Sequence, residues 1–90
     1  MMAFVITGGA FANVNEVEYI RQGNAYLSKI QSADYPELNS MYLQKAHYYF
    51  YVASKNVPPA TEALIGLGRV YLLQNKKEDA KNTFSQAYSA

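Results

Sequence analysis

The chain has no cysteine, no tryptophan and a single histidine in 90 residues. Without cysteine it has no disulfide, no thiolate nucleophile and no thiolate-ligated metal site. The lone histidine, His47, has no partner at metal-ligand spacing. Serines 40, 54 and 85 have no base near them in sequence. Glu16 and Glu18, and Glu78 and Asp79, sit where acids favour a helix start and form no catalytic pair. Charge is sparse, at 17% of residues, and nearly balanced at a net +1, with no basic stripe of the kind that tracks a phosphate backbone. Gly8-Gly9 lacks the flanking pattern of a phosphate-binding loop. These absences predict a protein without catalytic residues, cofactor or metal, and without a nucleic-acid partner.

Half of the residues are apolar and nine are tyrosine, enough to build a core in one small domain. The first twelve residues, MMAFVITGGAFA, carry no charge. They read either as the remnant of a secretory signal peptide, with Ala10-Phe11-Ala12 fitting the small-x-small cleavage rule, or as an apolar structural extension. The first reading predicts a secreted or periplasmic protein with a mature start near Asn13, the second a cytoplasmic one. Twelve residues are too few to cross a bilayer as a helix, which takes about 20.

The remainder, residues 13–90, shows helical periodicity throughout. Asn15-x-x-Glu18 is a capping box opening a first helix to about Ile30. Asp34, Pro36 and Glu37 open a second, expected from about Tyr35 to Ser54, with Leu38, Met41, Tyr42, Ala46, Tyr49, Phe50 and Ala53 as its buried stripe. Pro58-Pro59 separates two units, since proline stops one helix and suits the first position of the next. A third helix is expected over about Ala60–Gln74 and a fourth over about Lys77–Ser89. Leu64, Leu67, Gly68 and Tyr71 share one face of the third, at i, i+3, i+4 and i+7. Glycine inside a helix costs about 1 kcal/mol against alanine, which points to close approach of a neighbour at Gly68.

The spacing Leu64…Leu67-Gly68…Tyr71, followed by Ala80…Phe84…Ala87, resembles the tetratricopeptide repeat, a 34-residue helix–turn–helix unit. Asn75 stands in place of the turn glycine, and asparagine is among the few residues that tolerate the left-handed region. Tyr19, Gly23 and Tyr26 copy Leu64, Gly68 and Tyr71, and Ala46, Phe50 and Ala53 precede Ala80, Phe84 and Ala87 by 34 residues. The glycines are 45 apart, so the first unit carries eleven extra residues. They are expected to lengthen both of its helices, leaving a loop of about Gln31–Asp34.

The resemblance implies an all-α fold: two antiparallel helix–turn–helix hairpins, residues 15–57 and 58–90, stacked as a short right-handed solenoid. It implies a non-catalytic scaffold or adaptor that holds a peptide or partner helix on a concave face. Carried over by position, that face comprises Val17, Ile20, Asn24, Leu27 and Ser28 from the first helix and Glu62, Ile65, Arg69 and Leu72 from the third. Two further expectations come from exposed aromatic residues. Four consecutive aromatics, Tyr48 to Tyr51, cannot all face one core, and the last helix ends with no cover, so Tyr48, Tyr51 and Tyr88 are candidate interface residues. The alternative functions are a homo-oligomerising structural module, pairing as a homodimer, and a small envelope-associated assembly factor.

Overall fold

The computed structural model describes residues 13–30 and 36–89; the expectations for Met1–Ala12 and for the Gln31–Asp34 connection lie outside these residues. Among the described residues the chain is all-helical: α1 (Glu16–Ser28), α2 (Pro36–Ser54), α3 (Thr61–Leu73) and α4 (Lys77–Ser89). No helix among them is long and apolar enough to cross a membrane. The helices pack as two hairpins, α1 against α2 and α3 against α4, with α3 also lying on α2 and α1.

Local chemistry sets each boundary. Asn15 caps α1 by accepting a 3.1 Å hydrogen bond at Oδ1 from the Glu18 amide. The expected box is only half formed. The Glu18 carboxylate accepts instead from Arg21 Nη2 at 2.6 Å and from Gln22 Nε2 at 2.8 Å. Those bonds, Arg21's first, hold the exposed Glu18 carboxyl below its ordinary pKa. Pro36 opens α2 at the position where a missing N–H costs nothing. Asn75 takes the left-handed conformation, φ 62°, so the chain reverses between α3 and α4 and the Lys76 amide donates to Tyr71 O at 2.8 Å. The Val57–Pro58 peptide is cis.

The eleven extra residues are distributed differently from expectation. α1 has 13 residues, the same as α3, whereas α2 has 19 against 13 in α4. Only the second helix of the first hairpin is lengthened. The stripe expected on α2 also departs at its first turns. Tyr19 sits against Tyr49 at 5.3 Å and Tyr26 against Tyr42 at 6.1 Å, which fixes the antiparallel register. In that register Leu38 lies beyond the end of α1, and Met41 turns outward beside Lys45 and Tyr48. Both were expected in the buried stripe, yet they are 42% and 43% exposed.

Phe50 is the centre of the core. Its ring is fully buried together with Ala46, Val70 and Leu67, with Ile20, Leu27 and Tyr51 packed around them. Two glycines make room for it. A Cβ on Gly23 of α1 would fall 2.7 Å from the ring, and one on Gly66 of α3 closer still. Phe50 therefore fills a slot between two helix backbones, which joins the two hairpins. Gly68 does the same for Phe84 within the second hairpin, with a 2.5 Å approach. Ala80 and Ala87 are buried beside it, but Phe84 itself is only half-buried.

A second tie joins the chain before α1 to the linker after α2. The Asn56 side chain donates to Val14 O and accepts from Val14 N, both at 2.9 Å. Asn13 returns the pattern on the Val57 main chain, at 3.3 and 3.1 Å. Asn56 is buried and its amide is satisfied by main chain, as a buried polar group must be. Nothing in the sequence pattern pointed to this clasp, because asparagine flanking proline reads simply as a turn.

Candidate interaction surface

The face shared by α1 and α3 carries two clefts in line. One, of about 510 Å³, is lined by Asn24, Leu27, Ser28, Arg69, Leu72 and Leu73. The other, of about 340 Å³, is lined by Glu16, Val17, Ile20, Ala60 and Glu62. Helical spacing produces this surface. On α1, positions 16, 17, 20, 24, 27 and 28 recur every three or four residues along one side, and on α3 positions 62, 69, 72 and 73 share one side with 65 between the first two. Apolar side chains line both clefts, with Val17 76% and Leu72 51% exposed. The acids Glu16 and Glu62 lie in the cleft at the start of the two helices, and the Arg69 cation lines the other cleft with Asn24, followed by Leu72 and Leu73. Among the described residues Arg69 makes no ion pair, the one salt bridge being Arg21–Glu18.

Eight of the nine positions expected on a concave face line these clefts. Ile65, the ninth, lies between them on α3 and is half-buried. Ile20 and Leu27 serve twice, since they also pack against the Phe50 core. Ser28 turns its hydroxyl back to donate to Ala25 O at 2.8 Å. Leu73, Glu16 and Ala60 were missed. Leu73 had a signal in the sequence, for it stands four residues after Arg69 and so must share its side of the helix.

The aromatic candidates separate into three situations. Tyr48 is 54% exposed, edge-on to Tyr49 and bonded to the Tyr19 hydroxyl, which raises the Tyr19 pKa above its ordinary value. Tyr51 is half-buried, with Lys55 Nζ 4.8 Å above its ring and His47 edge-on at 5.9 Å. Tyr88 is 77% exposed and stacks on Phe84 with ring centres 6.5 Å apart.

His47 lies in a more polar cleft with Tyr51, Tyr71, Lys76 and Asp79. Burial, and then the Lys76 charge, push its pKa below the ordinary histidine value, so the neutral ring is favoured. The ring stands edge-on to Tyr71 at 5.5 Å, with Gln74 Nε2 3.5 Å from Nδ1. It is held by packing against Tyr51 and Tyr71, and no hydrogen bond or ion pair joins it to an acid among the described residues. Among the described residues no three His, Asp or Glu side chains are grouped so as to hold a metal.

The fold and this surface define an all-α pair of hairpins with an open, largely apolar furrow between the first and third helices. Compared with protein-family models, with curated proteins and with solved structures, the chain matches none.

Proposed function

We propose that the chain is a non-catalytic protein-interaction module, built as a short tetratricopeptide-like pair of hairpins, that binds a peptide or partner helix along the α1–α3 furrow. The observation that supports this most is the line of exposed apolar side chains, Val17, Leu72 and Leu73, in clefts already shaped by a rigid core. Large exposed apolar side chains gathered in a concavity mark binding surfaces more often than scattered ones do. The polarity of the furrow gives the ligand a direction. An acidic group of the ligand falls at Arg69 and Asn24, where a guanidinium and an amide grip a carboxylate, and a basic group falls at Glu16 and Glu62.

Selection from a displayed peptide library on the immobilised 90-residue chain tests this reading. Selected peptides should carry apolar residues with an acid towards one end. Leu72→Asp should weaken them at least about tenfold, about 1.4 kcal/mol, and Arg69→Ala should weaken mainly those with an acid. Both positions are exposed, so folding should be unaffected. Peptides that bind both variants as tightly as the parent would show that the furrow is not the site.

A further inference from the structure

A chain without cysteine has no disulfide to tie its helices together, but it carries nine tyrosines. Five of them form a continuous ladder between α1 and α2, in the order Tyr48, Tyr19, Tyr49, Tyr26 and Tyr42, with successive ring centres from 5.3 to 6.3 Å apart. The rings meet in different ways. Tyr49 stands edge to face with Tyr19 at 76° and with Tyr48 at 74°, and it stacks on Tyr26 at 12°. Tyr19 and Tyr48 are tilted by 40°, and their hydroxyls are hydrogen-bonded. Tyr48 is exposed and Tyr19 half-buried behind it. Tyr26 and Tyr42 are tilted in a similar way, at 33°, but both are half-buried. The Lys29 ammonium also lies 5.8 Å from the Tyr42 ring centre, a charge that opposes loss of an electron from that ring.

We propose that Tyr19 and Tyr48 form a cross-linking site, where a peroxide-driven one-electron oxidant joins α1 to α2 through a dityrosine bond. Loss of one electron and the hydroxyl proton turns a tyrosine into a phenoxyl radical, whose unpaired spin is shared with the two ring carbons ortho to the oxygen. Tyr48 is the ring that an oxidant reaches. Its radical takes a hydrogen atom from the Tyr19 hydroxyl across their hydrogen bond, which moves the radical inward. A second oxidation of Tyr48 then completes a radical pair. The hydroxyl contact brings ortho carbons of the two rings together, and the 40° tilt lets them meet edge to edge. The perpendicular and stacked pairs each present a ring face instead. One ortho carbon of each ring bonds to the other. The hydrogens on those carbons leave as protons, and the two oxygens are reprotonated as the rings regain aromaticity. In sum two phenols lose two electrons and two protons. One peroxide takes them up to become two waters, with a haem peroxidase passing the electrons singly. The link closes the chain between residues 19 and 48 and restricts the unfolded state as a disulfide does. Neither tyrosine lines the α1–α3 furrow, so the link forms whatever the furrow binds.

The 90-residue chain, dilute and treated with a haem peroxidase and limiting hydrogen peroxide, tests this. The monomer should become lighter by two hydrogens and gain the blue fluorescence of dityrosine. Trypsin cuts after Arg21, Lys45 and Lys55, so the product should join the peptide ending at Arg21, in which Tyr19 is the only tyrosine, to Ala46–Lys55. Tyr48→Phe keeps the ring at an exposed site and removes the phenol; that joined pair should be lost, with unaltered circular dichroism. Tyr49→Phe should retain it. The purified cross-linked monomer should melt at a higher temperature than the untreated chain. No link at all, or products joined only between chains, would overturn the proposal. So would a Tyr19 link that survives Tyr48→Phe, is lost with Tyr49→Phe, or lowers the melting temperature.

Discussion

Phe50→Ala is expected to destabilise the chain by about 3–5 kcal/mol, as phenylalanine-to-alanine changes in closed cores do. The ring is fully buried, so the loss combines the whole transfer free energy of the side chain with a cavity. Two parts of that cavity's wall are the backbones of α1 and α3 at Gly23 and Gly66, which limits how far it can collapse. A domain of this length holds only about 5–15 kcal/mol in total. At about 4–8 °C per kcal/mol, the variant should melt well below the parent or show no folded baseline. Phe84→Ala is the internal control. Its ring keeps one open side, so the expected loss is smaller, about 1–3 kcal/mol. Thermal melts by circular dichroism compare the two; equal losses would mean that Phe50 is not the piece joining the hairpins.

Gly66→Ala should also destabilise, against the usual trend. Alanine in a helix interior is worth about 1 kcal/mol more than glycine, so a glycine kept only by chance would give a more stable variant. Here the added methyl enters the Phe50 ring, which is fully buried and also lies against Gly23. Overpacking of that kind costs about 1–3 kcal/mol, on top of cancelling the propensity gain. Gly68→Ala meets Phe84 in the same manner, but that ring can shift towards solvent, so its penalty should be lower. The predicted order of melting temperatures is parent, then Gly68→Ala, then Gly66→Ala. A Gly66→Ala variant more stable than the parent would contradict the packing described.

Much of this architecture was legible from side-chain spacing. The range of α4 matches the expected one, the left-handed turn at Asn75 was expected from the resemblance, which places a turn glycine there, and the burial of Ala46, Ala53, Ala80 and Ala87 from the small–large–small spacing. Gly66 was not singled out, although the signal was there. Two glycines two residues apart on a helix face nearly opposite directions, so Gly66 and Gly68 serve different neighbours, one on α2 and one on α4. The exposure of Leu38 and Met41 could not be read locally, because a helix that outruns its partner looks no different in sequence from one that does not. The Asn13–Asn56 clasp depends on two segments more than 40 residues apart and leaves no periodic trace. For the furrow, the positions carried over from the resemblance coincide with most of the lining residues. Periodicity could not tell which of them also belong to the core, as Ile20 and Leu27 do.

The central claim is that one phenylalanine, seated between a glycine of α1 and a glycine of α3, holds the two hairpins together and so shapes the furrow. Proton NMR on the 90-residue chain tests it directly. The account predicts nuclear Overhauser contacts from the Phe50 ring to the α-protons of both Gly23 and Gly66, with those protons shifted by the ring current. Contacts to Gly23 alone, with Gly66 at an unperturbed shift, would contradict it.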